Sequence, residues 1–191
     1  SVAMSQIKDI ALAPSGEMKI DWVERNMPVL RGVGEDFKKT QPFAGLKIAL
    51  SVHLEAKTAY LCRVLEMGGA KMYVTGSNPL STQDDVAAAL ASGGMEVFAS
   101  YGLCRVLEVG PNIIIDDGGD LVHLMHTKYT GLIPGVIGGC EETTTGIHRL
   151  RIMAKNHELR FPMVMVNEAD CKHMFDNRYG TGQSVWDGIN R

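Results

Sequence analysis

The sequence predicts an α/β fold in which a doubly wound, mostly parallel sheet carries helices on both of its faces. Two observations predict it. Short runs that are apolar throughout alternate along the chain with longer segments whose apolar residues recur at helical spacing. Strands that are apolar throughout are covered on both faces, and helical crossovers between them make such strands parallel. At 191 residues the chain is long enough for one such domain with a sizeable core.

The beginning of the chain predicts a lead-in followed by an interrupted helix. Residues 1–16 are mixed in character, and residues 17–37 place apolar side chains such as Ile20 and Val23 at helical spacing. Pro28 lies inside this segment, and proline lacks the N–H that a helix interior needs. We therefore expect a kink or a break directly before Pro28.

The rest of the chain alternates between strands and helices. Strands are predicted over residues 46–52, 71–75, 96–99, 112–116, 135–138 and 162–166. Helices are predicted over residues 55–67, 82–92, 103–109, 120–129, 144–155 and 184–189. The helix over 82–92 is expected to begin at Ser81 or Thr82, because Asp84 and Asp85 then lie in its first turn, where acids suit the helix dipole.

Composition excludes several classes of function. A net charge of −3 without a run of Lys or Arg argues against a nucleic-acid partner. No signal peptide is visible in the sequence, and no apolar run in it is long enough to span a membrane. The cysteines lack CxxC spacing, which favours a reducing compartment over disulfides or a zinc site. Three acids in the turn over 116–120 are thin support for a cation site, so no metal is predicted.

Polar side chains follow five of the six predicted strands. They are His53, Asn78, Ser81, Gln83, Asp116, Asp117, Asp120, Glu141, Glu142, Thr143, Thr144, Thr145, Asn167, Lys172 and Asp176. Ligands of doubly wound sheets bind beyond the carboxyl ends of the strands, so this pattern favours a binding rim. Each part also has a plainer explanation: loops are polar in general, His53 alone is typical of a strand end, and the threonines could simply cap a helix.

The segment over 166–183 concentrates polar chemistry after the last predicted strand. Lys172 and Asp176 are four residues apart, so on a helical turn they share one face. In a cleft, burial and the nearby carboxylate would tune the lysine for proton transfer, while Asn167 and Asn177 could orient hydroxyl groups. A solvated loop with an ordinary surface pair explains the same residues equally well.

Five segments in order resemble the adenosylhomocysteinase (S-adenosyl-L-homocysteine hydrolase) family, in its archaeal or thermophile-like branch. They are HLEAKTA, SNPLSTQDD, IIIDDGGDL, CEETTTGIHRL and FDNRYGTGQS. The resemblance covers nearly the whole chain. It implies a cytoplasmic, homo-oligomeric enzyme with a Rossmann-like substrate-binding domain. The implied reaction is the reversible hydrolysis of S-adenosylhomocysteine to adenosine and homocysteine, in which bound NAD transiently oxidises the ribose 3′-hydroxyl so that homocysteine can be eliminated.

The resemblance also implies roles for individual residues. The implied catalytic residues are His53, Asp117, Lys172 and Asn177. The implied substrate contacts are Asn78, Ser81, Gln83, Asp117, Glu142, Lys172 and Asp176. The implied NAD contacts are Thr143, Thr144, Thr145 and Asn177. Lys172 would be the base at the 3′-hydroxyl, supported by Asn167; Asp117 would act at C4′. His53 would act on the leaving thiolate or the incoming water.

Three departures from the family pattern shape the expectations. With residues 17–191 as the substrate-binding domain, the NAD-binding domain is absent from this chain, and the sequence contains neither a GxGxxG turn nor a Walker loop. A helix's worth of acidic sequence is lacking between Phe98 and Asn112. Glu55 and Lys57 replace a usual Thr and Glu, which leaves adenine and hypoxanthine as alternative bases. A nucleoside-binding module without turnover is the remaining alternative.

Overall fold

The structure is a computed structural model that describes residues 5–100 and 102–166. Within these residues the strands are β1 (Lys47–Val52), β2 (Lys71–Gly76), β3 (Glu96–Phe98), β4 (Ile113–Asp116), β5 (Gly138–Glu141) and β6 (Met163–Met165). The α-helices are α1 (Ala13–Asn26), α2 (Pro28–Thr40), α3 (Ala56–Met67), α4 (Asp84–Ser92), α5 (Leu103–Glu108), α6 (Asp120–Thr127) and α7 (Thr144–Lys155). Short 3₁₀ turns cover Ile10–Leu12, Pro79–Ser81 and Thr130–Gly135.

In the described part of the chain, the strands form one parallel sheet in the order β3-β2-β1-β4-β5-β6. The chain starts at the centre, builds outward to β3, and then returns to place β4 on the other side of β1. The direction of winding therefore reverses between β1 and β4, which is where doubly wound sheets bind ligands. This confirms the predicted fold class.

Two apolar layers cover the sheet, one on each face. Alternate residues of β1 enter different layers: Leu50 packs with helices α1 to α4, whereas Ala49 packs with α5, α6 and α7. Both side chains are fully buried. A strand buried on both faces cannot show the apolar–polar alternation of a half-exposed strand, which explains the uniformly apolar sequence of these strands.

The first helix is interrupted where the sequence predicts, but it begins earlier. Helix α1 ends at Asn26 and α2 starts at Pro28, where the missing N–H of proline costs no helical hydrogen bond. The expected start at residue 17 is wrong, because α1 begins at Ala13. The overlooked signal is Pro14, a residue type favoured in the first turn of a helix.

Two other expected boundaries differ in the structure. The helix predicted over 82–92 begins at Asp84, because residues 79–81 form a 3₁₀ turn capped by the side chain of Asn78. The strand predicted over 135–138 is wrong, because the fifth strand is Gly138–Glu141. The glycines at 138 and 139 are typical of a loop. However, a Cβ on Gly139 would collide with the Ile114 carbonyl oxygen of β4, so the close approach of β4 and β5 requires glycine at this position.

The predicted helix over 184–189 lies outside the described residues. Among residues 5–100 and 102–166, none of the helices is long and apolar enough to cross a membrane.

Candidate functional site

A cleft of about 540 Å³ opens beyond the carboxyl ends of β1 and β4, at the reversal of winding. Its size falls within the range usual for small-molecule sites. The residues that line it are Val52, His53, Glu55, Thr58, Ser81, Gln83, Asp117, Glu142, Thr143 and Thr144. They come from the ends of four neighbouring strands and from the loops and first helical turns that follow them. These segments meet here because all of the strands run in the same direction.

His53 and Asp117 face each other across the cleft. His53 follows β1 and Asp117 follows β4, and His53 Nε2 lies 3.5 Å from Asp117 Oδ2. The His53 side chain is 56% exposed, whereas that of Asp117 is 8% exposed. The Ser77 hydroxyl donates to Asp117 Oδ2 at 3.1 Å. A shielded carboxylate beside an accessible imidazole is an arrangement suited to proton transfer with a bound molecule.

Ser81 fixes the orientation of the His53 ring. His53 Nδ1 lies 2.8 Å from Ser81 Oγ, and the Ser81 hydroxyl donates to the Asn78 carbonyl oxygen at 3.0 Å. Because this hydroxyl hydrogen is already used, Ser81 Oγ accepts the hydrogen on Nδ1. Nε2 is then the ring nitrogen left to exchange a proton with Asp117 or with a bound molecule.

The turn that carries Asp117 depends on two glycines. Gly118 and Gly119 have φ angles of +109° and +81°, a region that other residues rarely adopt. Arg149 of α7 holds this turn, because its Nη1 donates to the Gly118 carbonyl oxygen and to Asp120 Oδ1, both at 2.8 Å. The turn therefore joins β4 to α6 and directs Asp117 into the cleft.

Two buried carboxylates lie behind the cleft. Asp116 and Glu141 are register partners on β4 and β5, and both residues are fully buried. The two oxygens of Asp116 accept backbone hydrogens, Oδ1 from Asp117 N at 3.0 Å and Oδ2 from Val122 N at 3.1 Å. Glu141 Oε1 accepts from Gly118 N at 2.6 Å. Thus both acids support the backbone on which Asp117 is mounted.

Burial makes this pair hard to ionise together. Burial, followed by the charge of Glu141, raises the pKa of Asp116 well above its ordinary value. Burial likewise raises the pKa of Glu141 to about 7. Each Asp116 oxygen has an N–H donor, whereas Glu141 Oε2 has no hydrogen-bond partner among the described residues. Negative charge on Glu141 Oε2 is therefore not stabilised by a donor among these residues, which agrees with the raised pKa of Glu141.

The opposite wall of the cleft is the start of α7. Glu142 is 5% exposed and precedes this helix. The Thr143 hydroxyl caps the helix by accepting from Gly146 N at 3.0 Å, and it donates to Glu141 Oε1 at 2.9 Å. Its hydrogen-bonding capacity is therefore used mainly within the protein, while the neighbouring Thr144 is exposed at the cleft.

The structure brings most of the candidate residues together. Those that line the cleft are His53, Ser81, Gln83, Asp117, Glu142, Thr143 and Thr144. Asn78 is exposed, and its carbonyl oxygen accepts from the hydroxyl of the cleft residue Ser81. Thr145 is exposed on the first turn of α7 and does not line the cleft. The candidates that lie outside the described residues are Asn167, Lys172, Asp176 and Asn177.

Sequence reasoning left Val52 and Thr58 out of the site, and it named Glu55 only in connection with the choice of base. Val52, Glu55 and Thr58 border the cleft around the β1–α3 connection. The sequence feature that could have identified them is that they lie close to His53 in the chain. Thr58 is buried in the structure, but in the sequence it looks like an ordinary helix residue. Within the described ranges, no group of three or more His, Cys, Asp or Glu side chains is arranged to hold a metal ion.

The β1–α3 connection does not fit the pyrophosphate of a dinucleotide. A dinucleotide-binding sheet has a glycine-rich turn at this point, so that backbone N–H groups can approach the phosphates. Here the connection carries His53 and Glu55, whose side chains enter the cleft. The carboxylate of Glu55 would repel a phosphate.

Comparison with known proteins gives a consistent family match. The family profile described as S-adenosyl-L-homocysteine hydrolase matches residues 4–130 and 126–180. S-inosyl-L-homocysteine hydrolase of Methanococcus maripaludis is 57% identical over 197 aligned positions, covering 98% of this chain and 48% of that protein. Adenosylhomocysteinase of Pyrococcus abyssi is 52% identical, covering 97% and 46%. The chain spans about half the length of the curated relatives it matches.

A solved quinone oxidoreductase from Thermus thermophilus, studied also in complex with NADPH, is a distant structural neighbour. It has a TM-score of 0.39 and 15% identity, covering 83% of this chain and 48% of that one. So weak a likeness adds nothing to the description of the fold.

Proposed function

This chain belongs to the S-adenosyl-L-homocysteine hydrolase family, and we propose that its cleft serves the reversible hydrolysis of a nucleoside 5′-thioether to nucleoside and homocysteine. In the net reaction the bond between C5′ and sulfur breaks, the oxygen of water joins C5′, and one proton of that water ends on the sulfur. The main support for the proposal is that four of the five segments that resemble the family contribute side chains to the same cleft.

Asp117 and Glu142 are proposed to hold the sugar and to move its protons. Both carboxylates are largely shielded from water, and both border the cleft. A shielded carboxylate accepts hydrogen bonds from sugar hydroxyls strongly, since the acceptor is charged and competing water is excluded. Asp117 additionally touches His53, which supports a role in removing a proton from carbon rather than in binding alone.

His53 is proposed to carry the proton between water and sulfur. Its exposed ring can reach a bound molecule, and Nε2 is the nitrogen that faces the cleft carboxylate. Imidazole suits both directions of proton transfer, because a ring nitrogen can act either as a donor or as an acceptor.

The remaining roles rest on the family resemblance and concern residues beyond those described. Lys172 would be the base at the 3′-hydroxyl, with Asn167 supporting it. Asp176 would bind the ribose, and Asn177 would orient it. NAD would be held largely by parts of the protein other than the β1–α3 connection, with Thr143, Thr144, Thr145 and Asn177 at its edge. We further propose a cytoplasmic homo-oligomer.

The base of the nucleoside is adenine in one candidate substrate and hypoxanthine in the other. The similar relatives carry both names, since one is an S-inosyl-L-homocysteine hydrolase and another an adenosylhomocysteinase. Glu55 and Gln83 line the cleft. The Glu55 carboxylate can accept from the N6 amino group of adenine or from N1–H of hypoxanthine. The amide of Gln83 can donate as well as accept, so these two residues suit either base.

Calorimetric titration of the chain with adenosine and with inosine tests the proposal and ranks the bases. We expect saturable binding of at least one nucleoside. Glu142→Gln is expected to weaken it about tenfold, because a neutral amide is a poorer acceptor for ribose hydroxyls. The matched control is Glu35→Gln, which removes the same charge from an exposed site on α2. Absence of saturable binding for both nucleosides would contradict the proposal.

A turnover assay separates an enzyme from a binding module. The chain is incubated with NAD and S-adenosylhomocysteine, and free thiol is measured over time. We expect no steady turnover from the 191-residue chain itself, since its sequence has no GxGxxG turn to hold NAD. Steady thiol release would overturn that expectation. Thiol release by a longer active form of the protein would exclude the alternative that the protein only binds nucleosides without turning them over.

A further inference from the structure

Glu141 lies behind the cleft, and its carboxylate contacts both of the cleft's walls. Oε1 accepts from Gly118 N at 2.6 Å and from Thr143 Oγ1 at 2.9 Å. The first donor belongs to the turn that carries Asp117, and the second belongs to the residue that caps α7. One oxygen atom therefore links the loops that follow β4 and β5.

The surroundings of this carboxylate are shaped to hold it. A Cβ on Gly146 would collide with Glu141 Oε1, so only glycine leaves room for the carboxylate against the first turn of α7. Glu141 is fully buried, and its second oxygen, Oε2, has no hydrogen-bond partner among residues 5–100 and 102–166. A buried acid with an unused oxygen is costly, which argues that it has a task beyond packing.

We propose that Glu141 is a positioning residue, which sets the separation between Asp117 and Thr143 and holds it more firmly when the carboxylate is charged. The proposal rests on the proposed function only in treating Asp117 as the reactive carboxylate. A charged oxygen accepts hydrogen bonds more strongly than a neutral one, so protonation at Oε2 weakens both links made by Oε1.

The titration of Glu141 falls in the range where this change matters. Burial raises the pKa of Glu141 to about 7, and the charge of Asp117 adds to the rise. The charged and titratable groups around the carboxylate and its two donors are Asp116, Asp117, Asp120, Cys140, Glu142 and Arg149. Most of them are acids, so they oppose ionisation. The cleft is therefore firmly organised above neutral pH and loosened below it.

Amide NMR of the chain between pH 5.5 and 8.5 tests the assignment directly. In the wild type we expect the Gly118 amide signal to titrate with a midpoint near 7, because its N–H donates to Glu141 Oε1. We expect this titration to vanish in Glu141→Gln and to persist in Glu35→Gln. Titrations at pH 6 and pH 8 with whichever of adenosine and inosine binds give the second readout: binding should tighten with pH in the wild type, and this change should be smaller in Glu141→Gln.

The outcomes separate the two proposals. A Gly118 signal that does not titrate near neutral pH in the wild type overturns the Glu141 assignment, even if the variant fails to fold. A titration that persists in Glu141→Gln also overturns it. If the wild type binds neither adenosine nor inosine while the Gly118 titration is present in the wild type and lost in the variant, the Glu141 assignment is supported and the proposed function fails instead.

Discussion

His53 Nε2 lies 3.5 Å from Asp117 Oδ2, although the two residues belong to separate crossover units of the sheet. They meet because β1 and β4 are neighbouring parallel strands, with Ser51 in register with Asp116. Each residue comes just after its strand, at the point where the winding of the sheet reverses. The pairing is therefore a consequence of strand order, and strand order explains why residues far apart in sequence can act on one molecule.

Replacing Asp117 by Asn in the active enzyme is expected to reduce turnover more than binding. The amide keeps an oxygen that can accept from Ser77, but it cannot take up a proton. Loss of an acid–base group typically lowers the rate about 10²–10⁴-fold, so kcat should fall by that factor, which exceeds the rise in KM caused by the weaker amide acceptor. Thiol release measures both constants, and Asp84→Asn, an exposed change on α4, is the control. Near-normal turnover in Asp117→Asn would remove the assigned role.

Replacing Ser81 by Ala should disorient the His53 ring. The ring is 56% exposed, and its Nδ1 lies 2.8 Å from Ser81 Oγ. Loss of one such hydrogen bond costs about 1 kcal/mol, which corresponds to a roughly fivefold lower kcat. Ser81→Thr keeps the hydroxyl and is expected to restore most of the rate. If Ala and Thr at this position behave alike, orientation by Ser81 is not important.

The fold and part of the candidate site could be predicted from the sequence. The apolar strands and the polar residues that follow them predict both the parallel sheet and the position of His53 and Asp117. The start of α1 and the position of β5 could not be placed, because Gly139 resembles a loop residue until its distance to the neighbouring strand is known. Likewise, the sequence cannot show that the Glu141 carboxylate contacts the Gly118 backbone while Glu142 lines the cleft. The two residues are adjacent and of the same type, so only their positions in the fold distinguish them.

The stability of the chain is expected to fall as pH rises through the range in which Glu141 ionises. Its pKa is raised from 4.5 to about 7 in the folded state, so between these values the folded chain holds a proton that the unfolded chain has released. The folded state binds more protons, and the free energy of unfolding therefore decreases with pH, by up to about 3 kcal/mol in total. Asp116 contributes with the same sign.

Urea unfolding at pH 5 and pH 8 measures this loss. Glu141→Gln cannot ionise, so the difference in unfolding free energy between the two pH values should be smaller in the variant than in the wild type. Comparing the two proteins cancels the contribution of distant carboxylates, so the difference reports Glu141 together with its effect on Asp116. An identical pH dependence in both would show that Glu141 is charged throughout this range.

Two helical glycines provide a matched test of the packing that holds Glu141. Gly146→Ala would bring a Cβ against Glu141 Oε1, whereas Gly32→Ala in α2 meets no atom within 4 Å. Overpacking typically costs about 1–3 kcal/mol, so Gly146→Ala should lower the unfolding free energy by that amount. Alanine is better than glycine in a helix by about 0.5–1 kcal/mol, so Gly32→Ala should raise it. Thermal or urea unfolding of both variants gives the comparison, and equal changes of the same sign would mean that helix propensity alone governs both positions.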